Sequence, residues 1–308
     1  MAVSRPIYAI SGPTCSGKTA LSVALALSVD GEVVNFDSVQ IYKGIEIATA
    51  KPTREEMLGV RHHLINYVEP TISYTAADWA RDAVTVIEDI ESRGKTAILV
   101  GGTGFYLRTL RRPLFDSPPT DIDLREHFRK LHREKGAAHM HALLVEVDPQ
   151  LAATLGENDH VRVIRGLEVF HQTGKRMSEI QPEREKAPDF VDRIRLFVLA
   201  PPRDELYAKI NARTEQHFAK GLIDEVKQLR DSGVRDDTNA LGAHAYRRVC
   251  EYLRDERDLE SAIERSKQDV RNYAKRQFTW FRGEPDAIWL DGFGMRDGLV
   301  DEILGHKG

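Results

Sequence analysis

Residues 12–19 read Gly-Pro-Thr-Cys-Ser-Gly-Lys-Thr, a full match to Gly-x-x-x-x-Gly-Lys-Ser/Thr. The match stands after a short apolar run, Pro6 to Ser11, and before an apolar, alanine-rich stretch, Thr19 to Ser28. That context is a strand, a glycine turn and a helix. Glycine at both ends of the turn lets backbone N–H groups point inward around an anion, and the helix N-terminus adds a favourable dipole. Gly12, Pro13, Thr14, Cys15, Ser16, Gly17, Lys18 and Thr19 are therefore the expected phosphate-binding residues. Lys18 is set to bridge phosphate oxygens, and the Thr19 hydroxyl to hold Mg²⁺. The motif leaves the reaction open, since nucleotide hydrolysis, phosphoryl transfer and departure of pyrophosphate all need the same cradle.

The surrounding pattern extends the strand and helix alternation. Glu32 to Asn35, Leu64 to Val68, Thr96 to Val100 and Arg195 to Ala200 read as further strands, with helical stretches such as Ala76 to Arg93 between them. This predicts an α/β fold, a parallel sheet flanked by helices. The rhythm changes in residues 116–189, which are polar, rich in charge and histidine, helical in period and bounded by Pro118-Pro119 and Pro188. We expect a first core segment, 1–115, a helical insertion domain, 116–189, and the remainder of the core, 190–308, ending in helices and one last strand at Ala287 to Leu290.

Two more loops fall at strand ends: Asp37-Ser38-Val39-Gln40-Ile41-Tyr42, and Gly101-Gly102-Thr103-Gly104-Phe105-Tyr106. Parallel strands place their carboxyl ends along one edge, so both loops should face the phosphate turn. With Ala50-Lys51-Pro52, His62-His63-Leu64, Asn158-Asp159 with Arg162 and Arg165, and Arg271 through Arg282, they make the chain resemble the tRNA dimethylallyltransferase (isopentenyltransferase) family, bacterial type. These matches run in order from about residue 7 to 282. The resemblance implies a P-loop NTPase-like core. It implies dimethylallyl pyrophosphate as donor, N6 of the adenosine 3′ of the anticodon as acceptor, and assistance from Mg²⁺. It also implies Asp37, Thr103, Lys18 and Arg213 as the catalytic set.

The residues themselves are compatible with that chemistry. An adenine amine is a weak nucleophile, and a carboxylate that takes its proton helps; Asp37 suits this, although it also reads as a helix N-cap or a carboxylate reaching Mg²⁺ through water. Thr103 reads equally as strand-end capping, and Arg213 as a solvated helix charge. His62 and His63, adjacent on a strand, point to opposite faces and are given no metal.

For RNA, the resemblance implies contacts from Asp37, Ser38, Val39, Gln40 and Thr103, from Arg125, and from Val161-Arg162-Val163-Ile164-Arg165. It adds Gly242-Ala243-His244-Ala245-Tyr246-Arg247 and Ala274-Lys275-Arg276-Gln277-Phe278-Thr279-Trp280-Phe281. Lys267, Arg271 and Lys275 recur every four residues and so share one helical face, interleaved with Tyr273, Phe278, Trp280 and Phe281. Such aromatics either stack bases or pack the core. Gln40 suits paired hydrogen bonds to a flipped adenine or a bond to its own backbone. Where the family has Gly-Tyr, this chain has Ala245-Tyr246-Arg247-Arg248.

The whole-chain properties narrow the field. A net charge of -4 excludes indiscriminate coating of nucleic acid. Cys15 and Cys250 lack the spacing of a zinc site or disulfide framework, and no apolar run spans a bilayer or forms a secretory leader. A cytoplasmic, monomeric protein is expected, and its end at Gly308, without the zinc-finger extension of eukaryotic relatives, implies a bacterial-type enzyme. Rival readings are an enzyme that prenylates free adenine nucleotides, a small-metabolite kinase, and a nucleotide-switched binding protein.

Overall fold

The computed structural model describes residues 5–115, 118–182 and 186–306, apart from the His244 side chain. Six strands, β1 (Ile7–Ser11), β2 (Gly31–Asn35), β3 (His62–His63), β4 (Thr96–Val100), β5 (Ile194–Ala200) and β6 (Ile288–Asp291), form one sheet in the order β3-β2-β4-β1-β5-β6. Every pairing is parallel. The two neighbours of β1 are β4 and β5, so the turn after β1 lies in the middle of the carboxyl edge. The mixed apolar content of β4, buried at all five positions, reflects a strand covered on both faces.

Helix α1 (Lys18–Val29) covers one face, where Leu21 and Leu25 join Ile10, Val33, Ile98 and Phe197. Helix α2 (Ala76–Ser92) and helix α3 (Gly104–Arg111) cover the other. There Trp79, Ala83 and Ile87 meet Val34 and Leu99, and the Trp79 indole N–H donates to the Asn35 carbonyl at 2.8 Å. Glu32 on β2 is buried between the His63 ring, 2.7 Å away, and the Arg93 guanidinium. Hydrogen bonding to Arg93 holds its carboxyl down at about 2, against the upward push of burial and with help from His63. His62 instead bonds the Val60 carbonyl at 2.9 Å.

The expected strand Leu64 to Val68 is not one. Pairing with β2 stops at His63, and Leu64 and Asn66 take positive φ of 55° and 54°, which breaks an extended run. The apolar residues there serve two separate clusters: Leu64 packs on the sheet core, while Val68 joins Tyr42, Val226 and Tyr246.

The chain divides into two compact units, 1–111 with 188–308, and 112–187. In the second, helix α4 (Ile122–Val147) starts at Asp121, whose carboxylate accepts from Leu124 N at 2.9 Å, and kinks at Gly136, where φ is +83°. With helix α5 (His160–Thr173) it buries Phe128, Met140, Leu144, Val163 and Leu167.

The first unit continues through helices α6 (Arg203–Ala219), α7 (Leu222–Asp231), α8 (His244–Tyr252) and α9 (Leu259–Arg282). The segment after β6 returns to the glycine turn, where Gly294 N donates to the Ser16 carbonyl at 2.8 Å. Among the described residues no helix is long and apolar enough to cross a membrane.

Candidate active site

A cavity of about 370 Å³ opens at the carboxyl edge of the sheet, walled by Thr14 through Thr19, Asp37, Gly101, Arg213 and Tyr273. The glycine turn forms as its sequence requires: Gly17 has a φ of +90° where α1 begins, a conformation costly for a residue with a side chain. Lys18 folds back over the turn and donates to the carbonyls of Gly12 at 3.0 Å and Pro13 at 2.8 Å. Burial pushes its ammonium down to about 8; the nearby Asp37 carboxylate resists this, and Arg213 adds to it. The Ser16 hydroxyl is buried at the same wall with no hydrogen-bond partner among the described residues. A buried orphan of this kind normally has a partner to meet.

Asp37 lies across the cavity, on the turn after β2. Its Oδ1 accepts from Val39 N at 2.9 Å and Gln40 N at 3.2 Å, and its own N–H donates to Asn35 Oδ1 at 3.2 Å. One carboxylate oxygen thus organises a turn, and no helix begins there, so Asp37 is not a helix N-cap. Among the described residues no hydrogen bond reaches Oδ2, which leaves that oxygen for chemistry. Thr103 ties this turn to the loop after β4, since its Oγ1 accepts from Ser38 N at 3.0 Å and donates to Ser38 Oγ at 3.2 Å. Arg213 reaches inward from α6 and donates to the Thr14 hydroxyl, so it belongs to the site and is not a solvated charge. Gln40 spends its amide hydrogens on the carbonyls of Thr49, at 3.0 Å, and Ala50, at 3.1 Å, and so shapes the wall.

Sequence reasoning missed Lys209 and the inward role of Tyr273. Lys209 precedes Arg213 by four residues on α6, a spacing that puts both cations on one face and that was legible in the sequence. Burial raises the Tyr273 phenol well above the ordinary tyrosine range, against the opposing pull of its hydrogen bonds with Thr103 and Gln277.

The expected basic stripe on α9 is only partly a stripe. Lys267 is 9% exposed and sits 2.6 Å from both Glu215 and Glu264, while Arg271 is held by Asn211 and Gln268. A cation matched by two carboxylates has no spare charge for a phosphate. Lys275, Arg276 and Thr279 face outward, whereas Ala274, Gln277 and Phe281 point in. The aromatics resolve towards packing: Phe278 stacks on Trp289 at 6.3 Å, and Trp280 lies under Arg108 at 4.1 Å.

In the α8 region Ala245 and Tyr246 are buried, and the Tyr246 hydroxyl donates to Glu225 at 2.6 Å. Arg247 is exposed, while Arg248 is locked to Glu251 and Asp269. In the inserted unit Val161 and Arg162 are exposed, but Val163 and Ile164 fill the core. Arg125 and Arg165 are both turned onto the buried Glu168, at 2.6 Å and 3.3 Å.

With this geometry established, similarity to known proteins is informative. Residues 40–284 match the family model described as IPP transferase. The tRNA dimethylallyltransferase of Geobacter sulfurreducens is 46% identical over 92% of this chain and 90% of its own. That of Koribacter versatilis is 42% identical over 97% and 96%. The solved tRNA isopentenylpyrophosphate transferase of Bacillus halodurans superposes with a TM-score of 0.70, at 38% identity over 97% of this chain and 94% of that one. A eukaryotic dimethylallyltransferase captured acting on tRNA gives a TM-score of 0.77, at 29% identity over 98% of this chain and 78% of that one.

Proposed function

Because the chain belongs to the IPP transferase family, we propose that it transfers a dimethylallyl group from dimethylallyl pyrophosphate to N6 of an adenosine in tRNA, the one 3′ of the anticodon in tRNAs reading codons that begin with U. The observation that supports this best is that one cavity carries an anion cradle, Ser16 to Thr19, and a carboxylate, Asp37, on its walls.

The amine nitrogen attacks the allylic carbon and forms the C–N bond. The C–O bond breaks, and its electron pair leaves with pyrophosphate. Asp37 Oδ2 takes the proton that N6 releases. Lys18, the turn amides and Arg213 hold the growing charge on the leaving group. Thr103 keeps the Asp37 turn in register through Ser38.

The donor set also fits a hard cation: the Thr19 hydroxyl and the Asp37 carboxylate would offer oxygen ligands from the walls of one cavity, which the unpartnered Ser16 hydroxyl also lines. Among the described residues no cluster of three or more His, Cys, Asp or Glu offers a closed protein cage, which accords with an ion shared with substrate phosphates. Mg²⁺ at Thr19 would supply charge neutralisation to the pyrophosphate. We assign the enzyme to the cytoplasm, as a monomer.

Labelled dimethylallyl pyrophosphate incubated separately with unmodified tRNA, AMP and ATP tests this. Label enters tRNA, and Asp37→Ala lowers the rate by about 10²- to 10³-fold; label on AMP but not on tRNA overturns the assignment.

A further inference from the structure

The family resemblance puts Gln277 among residues that touch RNA, yet its side chain is buried at the wall of the cavity, between two of the loops that form it. It is 4% exposed. Its Oε1 accepts the Thr14 N–H at 2.9 Å, and its Nε2 donates to the Gly102 carbonyl at 3.1 Å. These partners sit on the turns after β1 and β4, two strands that are neighbours in the sheet. Gly102 is required for this contact, because a Cβ there would stand 2.0 Å from Nε2. One residue further on, Thr103 grips Ser38 beside Asp37. A single amide on α9 therefore spans the interval from the anion cradle to the segment that holds the carboxylate turn.

The residue type suits the task. A primary amide offers one acceptor and a donor without charge, matching one N–H and one C=O. An apolar side chain of equal length would leave both backbone groups buried and unpaired. A carboxylate would satisfy Thr14 but confront the Gly102 oxygen with a like charge.

We propose that Gln277 is a positioning residue for dimethylallyl transfer: its amide, engaged by Thr14 and Gly102, sets the separation of the Thr14 turn and the Asp37 turn and acts on the reaction through them. This rests on the function proposed above. Displacing reacting groups by about 1 Å costs up to about 10²-fold in rate, whereas affinity for either substrate depends on groups that Gln277 leaves in place.

The test uses the full-length enzyme with tRNA and dimethylallyl pyrophosphate, comparing wild type, Gln277→Ala and Gln277→Glu from pH 5.5 to 8.5. Gln277→Ala lowers kcat about 10- to 100-fold and leaves the tRNA KM within about threefold. Gln277→Glu is slow at pH 8, where the side chain is ionised, and regains rate as pH falls, because the neutral acid again offers a C=O and an O–H; wild type and Gln277→Ala show no such gain. A raised tRNA KM with unchanged kcat in Gln277→Ala, or a Gln277→Glu profile parallel to wild type, overturns the proposal. If Gln277→Ala fails to fold by circular dichroism, the Gln277→Glu profile decides alone. A wild type that never labels tRNA overturns the function and not the strut.

Discussion

The Lys18 ammonium should make donor binding fail in mildly alkaline solution. Its fall from the usual 10.5 to about 8 corresponds to roughly 3 kcal/mol held against the charged form, with burial the largest cause, opposed by the Asp37 carboxylate and reinforced by Arg213. The charged form therefore predominates below pH 8 and is lost above it. If the ammonium is what grips the pyrophosphate, affinity drops about tenfold for each pH unit beyond 8. Once the anion is bound, its charge favours the ammonium and carries the pKa back up, so kcat stays level across the same range while kcat/KM declines. The assay is equilibrium binding of inorganic pyrophosphate from pH 7 to 9.5, paired with steady-state kinetics of tRNA labelling. A Lys18→Arg variant, whose guanidinium stays charged, should bind without the decline. Binding that is flat to pH 9.5 in the wild type, or a decline that persists unchanged in Lys18→Arg, would refute the reasoning.

Two further outcomes follow from pairings in the first unit. Glu32 has its carboxyl lowered from 4.5 to about 2, so its contribution is complete above pH 4.5 and fades as pH falls towards 2. Glu32→Gln should lose roughly 3 kcal/mol at pH 7, measured by urea unfolding, with a shallower loss between pH 4.5 and 2. On α9, Lys275→Ala and Arg276→Ala should each weaken tRNA binding and reduce the slope of log K against log salt by about 1, while Lys267→Ala lowers stability and leaves that slope alone.

How much of this was legible depended on the range over which the deciding interaction acts. The glycine turn, the strand ends that carry Asp37 and Thr103, and the bounds of β4 are set by residues close together in sequence, and the structure gives them as read. Leu64 to Val68 misled because hydrophobicity reports burial and not backbone shape; two cores draw on those residues from either side of a turn. The stripe on α9 was legible only in part. A four-residue period fixes which residues share a face but not what covers it, and Lys267 is covered by Glu215 from α6. Gln277 and Gly102 are 175 positions apart, and nothing near either announces the other. Arg213 was read from resemblance alone, because its partner Thr14 lies 199 positions away.

The bond from Gly294 to Ser16 has an implication for how the protein comes into being. The anion-gripping loop leaves the ribosome 278 residues before the backbone N–H that donates to its Ser16 carbonyl. A nascent chain that has not yet reached that residue carries the motif without this one bond. Proteolytic fragments and prematurely terminated products that stop just short of residue 294 therefore keep the signature, and keep Arg213 and Gln277 to hold Thr14, but lack the brace on Ser16.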